Sequence, residues 1–288
     1  MLPPSTKLKR LFAGLLTVTL MLIGLPTTLK MDSALAETVP NSSGFGPQRY
    51  HDGLQYGTGV YFAPYHFTVY SQPDEQSPIL ADYRWSRRSS INDIAYTTPT
   101  GGQQMTTAEN VFICFYPGLD VAILPVLSDN GQGWVEVLYS QTGKKSGWVR
   151  LKAAPSADSQ SSSTKTDTEI AHNVTTASTE PTHFGAYQTW LEFMRLNARV
   201  NGIYWLSGVS AYNRSLRTKN EDTATLLQVT IMRSLKVRFV RGNWLLVEAL
   251  DFEHNTPIGW VRWRDDDGNL MVFPNISGQR TPIVTTSQ

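Results

Sequence analysis

The sequence has few of the features that mark redox, nucleic-acid-binding or membrane proteins. It contains one cysteine among 288 residues, which excludes an intramolecular disulfide, a thiolate zinc cage and a CxxC redox pair. Its 25 Lys and Arg residues are balanced by 24 Asp and Glu residues, whereas a polybasic nucleic-acid-binding protein has a strong excess of positive charge. Hydrophobic residues make up 41% of the chain, too many for a disordered protein and too few for a polytopic membrane protein. These absences indicate a globular protein without a nucleic-acid partner.

Motifs of catalysis are missing as well. The sequence has no glycine-rich phosphate loop, GxSxG elbow or HExxH helix. Cys114 lies in an apolar run, where a thiol normally behaves as a small buried hydrophobic side chain. The histidines His66 and His254 lie on opposite sides of a Ser/Thr-rich stretch, which disfavours a Cys–His hydrolase. The acidic run Asp265–Asp267 fails the ligand spacing of an EF-hand and predicts a solvated turn. We expect no enzyme, no cofactor and no metal site.

Residues 1–36 have the organisation of a secretory signal peptide. Three basic residues precede an uncharged, mostly apolar run from Leu11 to Leu25, and Ala34-Leu35-Ala36 is a small-x-small cleavage signature. The apolar run of 15 residues is shorter than the roughly 20 that a helix needs to cross a bilayer. An uncleaved amino-terminal anchor is the alternative. The segment predicts an exported protein, periplasmic or extracellular, with no membrane span after signal cleavage.

A change of composition divides the remaining chain. Residues 153–182 are dominated by Ser and Thr and lack aromatic residues, so they bury too little apolar surface to offset the entropy of ordering and predict a flexible linker. After the linker, apolar residues from Tyr187 to Ala198 recur at helical spacing and predict an amphipathic helix that packs on the second globular part or, alternatively, docks to a partner. The predicted segments are a disordered lead-in (37–50), a first domain (51–152), the linker (153–182), the helix (183–201), a second domain (202–276) and a tail (277–288).

The two globular parts end in the same pattern. The first contains Gly133-Trp134-Val135-Glu136-Val137, a polar turn and then Gly147-Trp148-Val149-Arg150. The second contains Asn243-Trp244-Leu245-Leu246-Val247, a polar turn and then Gly259-Trp260-Val261-Arg262. Alternating apolar residues on both sides of a polar turn predict a β-hairpin in each part.

Their beginnings also correspond. Gly59-Val60-Tyr61-Phe62 matches Gly202-Ile203-Tyr204-Trp205, and a further tyrosine follows in each part, Tyr70 and Tyr212. The first part is longer, which predicts an insertion near residues 86–110. Matched markers in one order indicate an internal duplication.

This order of motifs resembles the bacterial SH3-like (SH3b) domain, here in tandem. That family closes with Gly-x-Trp-x-x-Val, a turn and Gly-Trp-Val, and Phe67–Pro73 and Val209–Ser215 occupy the place of its Leu-Asn-Val-Arg-Ser-Gly-Pro strand. The resemblance implies an all-β fold: two small SH3-like β-barrels joined by the flexible Ser/Thr-rich linker, with one short α-helix before the second barrel. It also implies binding rather than catalysis, because SH3b modules of exported bacterial proteins attach to peptidoglycan or to proteins.

Aromatic side chains are the candidates for a binding site. Neighbouring residues on a strand point to opposite faces, so one member of each adjacent aromatic pair should offer flat apolar area to a sugar ring or a proline. The two further tyrosines lie where SH3-like barrels build their groove. The expected ligand-binding residues are Tyr61, Phe62, Tyr70, Tyr204, Trp205 and Tyr212. Because tryptophans of small barrels are mostly core residues, the expected barrel core contains Trp134, Trp148, Trp244 and Trp260.

Three hypotheses of function remain at this point. The first is an exported, non-catalytic binding or scaffold protein whose two tethered modules engage cell-wall peptidoglycan or other envelope material and gain avidity from the tether. The second is a scaffold or assembly factor for an envelope protein complex, and the third is an enzyme of unrecognised type. A wall binder should present exposed aromatic residues on both modules, a protein scaffold should present a contiguous apolar patch, and an enzyme should show a pocket with a titratable pair.

Overall fold

A computed structural model describes residues 44–50, 57–152, 181–227, 232–251 and 256–276. Over these residues the protein is mostly β, with two antiparallel sheets and short helical elements, so the mostly β architecture predicted from the sequence is confirmed. The predicted signal peptide, most of the predicted linker and the predicted tail lie outside the described residues. All described residues belong to one compact unit.

The first sheet has ten strands, in the order β10-β1-β7-β8-β9-β2-β3-β4-β5, with β6 paired to β7. Nine of its strands come from the chain before the predicted linker. Their bounds are β1 Gly59–Phe62, β2 His66–Tyr70, β3 Ile79–Arg84, β4 Ile94–Thr97, β5 Gln103–Thr106, β6 Cys114–Tyr116, β7 Val121–Asp129, β8 Trp134–Ser140 and β9 Lys145–Arg150. A short helix, α1 (Ala108–Val111), and a 3-10 turn (Pro117–Leu119) connect them. The predicted insertion near residues 86–110 therefore contains β4, the edge strand β5 and most of α1.

The second sheet has five strands, in the order β14-β13-β12-β11-β15. Their bounds are β11 Ile203–Trp205, β12 Met232–Arg241, β13 Trp244–Asp251, β14 Ile258–Arg262 and β15 Val272–Pro274. In the part of the chain that the structure describes, neither sheet closes on itself, so closed barrels are not present there.

The registers of the two sheets correspond residue by residue. Val126 pairs with Val137, which pairs with Gly147; Val237 pairs with Val247, which pairs with Gly259. A β-bulge follows the first valine of each series. These registers make β10-β1-β7-β8-β9 the counterpart of β15-β11-β12-β13-β14.

The registers also shift the match at the beginnings of the two parts by one residue. Tyr61 pairs with Leu124, and Ile203 pairs with the corresponding Leu235. Leu124 and Leu235 correspond because they lie two residues before Val126 and Val237, the valines that match between the two sheets. Their strand partners Tyr61 and Ile203 therefore correspond as well, and Tyr61 does not correspond to Tyr204.

The residues after the predicted linker complete the first sheet. The backbone N–H of Lys152 donates to the carbonyl of Gly185 at 3.0 Å, and Gly185 donates to Phe62 at 2.8 Å. Strand β10 (Tyr187–Thr189) then pairs with β1. Residues 153–180 thus join two strands of one sheet, and the predicted boundary between the linker and the second half is displaced.

The helix before the second sheet begins later than predicted. It starts at Trp190, because Thr189 forms a capping box with Glu192. It continues without interruption as α2 (Trp190–Phe193), a π-turn (Met194–Ala198) and α3 (Arg199–Asn201), and we call this whole segment the connecting helix. Residues 183–189, predicted as helix, are instead turn and strand.

The connecting helix packs into a core to which both sheets contribute. Its buried apolar side chains are those of Trp190, Phe193, Met194 and Ala198. The same cluster contains Val60 and Phe62 from β1 and Ile123 from β7. From the second sheet it contains Leu235, Val237, Leu245, Val247, Val261 and Phe273. The two halves therefore share one hydrophobic core, which the predicted division into two domains joined by a linker did not include.

Residues 44–50, predicted to be disordered, connect the two halves along their surface. Phe45 exchanges backbone hydrogen bonds with Phe115 at 2.8 Å in both directions. Ser207 donates to Gln48 at 2.7 Å and accepts from Tyr50 at 2.8 Å. The Tyr50 hydroxyl donates to Asp265. We call residues 57–152 with 181–189 the first module and residues 202–276 the second module.

We predict that proteolytic cleavage within residues 153–180 leaves the two fragments associated in one folded protein. A protease recognition sequence inserted after Ser162 is cleaved to completion, and the product is analysed by size-exclusion chromatography without denaturant. The fragments should co-elute, because β10 and the shared core hold them together. As a control, the same protease recognition sequence is inserted after Gly143, in the exposed turn between β8 and β9, to measure the effect of insertion and cleavage at another site. Fragments that separate after cleavage at Ser162 would contradict the shared core.

Candidate binding surface on the second module

The aromatic pair of β1 is buried on both faces. Tyr61 and Phe62 are 2% and 0% exposed, although alternation predicts that one of them points to solvent. Strand β1 lies between β10 and β7. The Tyr61 side chain packs into the core of the first sheet, and the Phe62 side chain packs into the core shared with the connecting helix. The prediction that this pair contacts a ligand from an exposed position is wrong.

The second aromatic pair is half-buried. The Tyr204 hydroxyl donates to the carbonyl of Pro47 at 2.9 Å, and burial raises the pKa of this phenol. Trp205 packs partly against the shared core. Tyr204 therefore anchors the segment 44–50 to β11, which is a structural role.

The structure assigns a different counterpart to Tyr70. A Cβ added at Gly147 would meet Val69 at 2.5 Å and the Tyr70 carbonyl at 2.9 Å; one added at Gly259 would meet Leu216 at 3.0 Å and the Arg217 carbonyl at 3.1 Å. Tyr70 is paired with Trp148, and Arg217 with Trp260. Arg217, not Tyr212, corresponds to Tyr70.

The segment predicted to match Phe67–Pro73 is therefore displaced. Its counterpart is residues 214–220, five residues beyond the start of the predicted window at Val209. Tyr212 belongs to the loop that precedes this counterpart, and its side chain is 55% exposed.

The four repeated tryptophans lie on the outer faces of the sheets. Trp148 and Trp260 are half-buried, and Trp134 and Trp244 are 9% and 8% exposed without belonging to either core cluster. The predicted burial of Trp134 and Trp244 is confirmed, but the alternate positions, not the tryptophans, point into the two core clusters. Those inward positions are occupied by Val135, Val149, Leu245 and Val261.

Each outer face carries the same ionic contact beside its first tryptophan. Arg150 pairs with Glu75, and the corresponding Arg262 pairs with Asp222 at 3.3 Å. The ring contacts also correspond. Trp134 meets Tyr70 edge-on with centroids 5.5 Å apart, while the guanidinium carbons of Arg217 and Arg262 lie 5.7 and 5.4 Å from the centroid of the Trp244 ring. The duplication therefore extends to the surface.

Next to these matching contacts, the two outer faces differ at three corresponding positions. In the first module these are Ser128, Glu136 and Ser146, which we call the polar trio. Both serine hydroxyls donate to the Glu136 carboxylate, at 3.0 and 2.6 Å. In the second module the positions hold Phe239, Leu246 and Ile258, which we call the apolar trio.

The apolar trio faces solvent. Phe239 is 55% and Ile258 57% exposed, and Leu246 is half-buried between them and Trp260. Arg217 forms one isolated β-bridge with Trp260 and another with Leu226. Leu226, 39% exposed, therefore lies at the far end of the same row. Contiguous exposed apolar side chains of this kind mark sites of association. This surface is the candidate functional site.

The sequence contains only a weak signal for this surface. Lys236-Val237-Arg238-Phe239-Val240 alternates, and simple alternation would put Phe239 on the same inward face as Val237. The β-bulge between Val237 and Phe239 reverses the face, because one extra residue shifts the side-chain period. The bulge depends on pairing with β13 and cannot be located from the sequence.

A second polar cluster has the composition of an active site but a structural role. Asp120 is 6% exposed and accepts from the Tyr65 hydroxyl and from Arg87 Nε at 2.7 Å. Its backbone carbonyl contacts His183 Nε2 at 2.7 Å. The Asp120 carboxylate is already bonded to a phenol and a guanidinium of the same chain. The contact between His183 and the Asp120 carbonyl ties the residues after the predicted linker to the first module.

The described ranges contain no group of three or more His, Cys, Asp and Glu side chains that could hold a metal ion. Among their helices, none combines the length and the hydropathy that a bilayer span requires. No protein-family model, curated protein or solved structure matches the chain.

Cys114 is expected to be unreactive in the folded protein. The side chain is 0% exposed, and burial raises the pKa of the thiol, so the nucleophilic thiolate is not available. We predict no release of thionitrobenzoate on mixing the native protein with 5,5′-dithiobis(2-nitrobenzoic acid), and one equivalent after unfolding in urea. Cys114→Ala sets the baseline. Stoichiometric reaction of the native protein within minutes would contradict the buried position.

The buried His183 makes folding stability depend on pH. Burial lowers the pKa of His183 below its ordinary value of 6.5, so the unfolded chain takes up the proton first as the pH falls. This contribution to stability is complete above pH 6.5 and is lost below it, by up to about 1.4 kcal/mol per pH unit. Urea denaturation between pH 5 and 8 should show this slope, and His183→Gln should reduce it. Equal slopes for the two proteins would refute the assignment.

Proposed function

We propose that this chain is an exported, non-catalytic binding protein built from two SH3-like modules, and that it docks a protein partner on the outer face of the second module. The SH3-like assignment is supported by the matching strand order of the two sheets and by the tryptophan, arginine and carboxylate positions that recur in both. Fusion of the modules through the connecting helix suits a scaffold, because it holds the docking face at a fixed orientation.

The observation that carries the proposal is the replacement of the polar trio by the apolar trio. The fold accepts Ser128, Glu136 and Ser146 at these positions in the first module, so Phe239, Leu246 and Ile258 are not required by the architecture. Exposing two large apolar side chains at 55% and 57% gains nothing for a monomer in water. It favours association, in which their area is removed from water at about 25 cal/mol per Å².

The same comparison favours a protein partner over cell-wall peptidoglycan. A wall binder with two sites would expose aromatic rings on both modules. Among the large hydrophobic side chains exposed in the described residues, the aromatic ones are Tyr212 and Phe239, and both belong to the second module. The exposed apolar side chains of the first module are Ile79 and Met105.

Site-specific photo-cross-linking in the producing cells tests the proposed docking face. Benzoylphenylalanine replaces Phe239 in one strain and the corresponding Ser128 in another. We expect an ultraviolet-dependent adduct with a protein of discrete mass from position 239 and none from position 128. Co-production of the unlabelled full chain should reduce the adduct, whereas unlabelled chain carrying Phe239→Ser and Ile258→Ser should not. These substitutions install the residues of the first module and should preserve the fold.

Sedimentation with isolated peptidoglycan distinguishes the alternative. The full chain should remain in the supernatant, as a control protein does, and Tyr70→Ala and Tyr212→Ala should not change this. Co-sedimentation lost in those variants, together with no adduct from position 239, would replace the proposal by wall binding.

A further inference from the structure

Arg217 is a buried cation without a carboxylate partner. Its side chain is 1% exposed, its Nε–H has no hydrogen-bond acceptor, and one Nη contacts the Ser215 carbonyl at 3.4 Å. No ion pair to Arg217 occurs among the residues that the structure describes. A buried charge is costly unless it is paired, so this guanidinium favours the approach of an anion.

Two aromatic rings hold the guanidinium in place. Tyr212 lies over it at 4.7 Å and Trp244 at 5.7 Å, and such cation–π contacts compensate part of the desolvation. Tyr212 is 55% exposed, and its hydroxyl donates to the backbone carbonyl of Asp222 at 3.2 Å. Rotation of this surface tyrosine, at the cost of one exposed hydrogen bond, would open the face of the guanidinium that the Tyr212 ring covers.

Four arginines and three carboxylates surround the docking face. Arg262 pairs with both Asp222 and Asp266, and Arg238 pairs with Glu248. Arg241 forms no ion pair with any described residue and shares the outer face with Trp244, its partner in the register. Two unpaired guanidinium groups thus flank the row formed by Trp260 and the apolar trio.

The first module has no such charge. Tyr70 stands at the position of Arg217, and the carboxylate of Glu136 stands at the position of Leu246. Both the cation and the apolar surroundings are therefore specific to the second module.

From these contacts we infer that Arg217 is the anion-binding centre of the docking face, and that the protein partner presents a carboxylate flanked by large apolar side chains. This inference rests on the proposed function and specifies the chemistry of the partner. The planar guanidinium offers paired N–H donors that match a carboxylate, once the Tyr212 ring has moved. The apolar trio and Trp260 then receive the flanking side chains of the partner.

A matched pair of peptides tests the inference on the full chain. Fluorescein-labelled Gly-Phe-Asp-Leu-Gly and Gly-Phe-Asn-Leu-Gly, both with blocked termini, differ only by carboxylate against amide. Fluorescence polarisation should give at least about tenfold tighter binding of the Asp peptide, because a hydrogen bond to a charged group contributes about 1.5–3 kcal/mol. Arg217→Gln should remove the preference and leave the affinity for the Asn peptide unchanged. Tyr70→Phe, at the corresponding position of the first module, should change neither affinity.

A measurement on the unmodified side chain covers the case that Arg217→Gln does not fold. The ¹⁵Nε–¹Hε resonance of Arg217, identified by its loss in Arg217→Lys, should shift on addition of the Asp peptide and stay in place with the Asn peptide. No shift with either peptide would overturn the inference.

The remaining outcomes separate the two proposals. The role of Arg217 would be overturned if the preference for the Asp peptide survived Arg217→Gln. It would also be overturned if both peptides bound equally and Phe239→Ser and Ile258→Ser removed that binding. In either case the docking face would remain supported. Absence of binding by both peptides while the adduct from position 239 persists would overturn the carboxylate chemistry alone. Absence of both the binding and the adduct would remove the docking face as well.

Discussion

The shared hydrophobic core around the connecting helix is the constraint on which the rest of the molecule depends. Trp190, Phe193 and Met194 are covered on one side by β1 and β7 and on the other by the strands of the second sheet. Neither sheet alone provides a complete cover for these side chains. The strand that precedes the helix completes the first sheet, and the strand that follows it begins the second. The two modules are thereby fused, and their outer faces remain available for other contacts.

The candidate site lies where the otherwise corresponding outer faces of the two modules differ. Both modules have a tryptophan at the start of β8 or β13, an arginine on the next strand and a carboxylate that pairs with it. The neighbouring positions have diverged to a hydrogen-bonded polar trio in one module and an exposed apolar trio in the other. The same backbone supports both sets of side chains. On the proposed docking face, the buried Arg217 and the apolar row would together select a partner by charge and by shape.

Much of the local structure could be predicted because its signals are local. The Gly-Trp-Val hairpins follow from alternation and polar turns, and the amphipathic spacing from Trp190 to Ala198 predicts the connecting helix. Burial of Cys114 follows from its apolar neighbours. The site residues were harder to find, because exposure on a strand depends on what covers each face. Tyr61 and Phe62 alternate as expected, yet both are buried since β1 is covered on both sides.

The β-rich class and the positions of the paired hairpins can be read from the sequence, because hydrophobic period and turn residues act over a few neighbours. The fold in three dimensions was needed to establish that β10 crosses back to the first sheet, that the modules share one core and that Arg217 corresponds to Tyr70. Those features are set by contacts between residues far apart in the chain. The face of Phe239 was decided in the same way, because a one-residue bulge, fixed by pairing with β13, reverses which side chains meet the solvent.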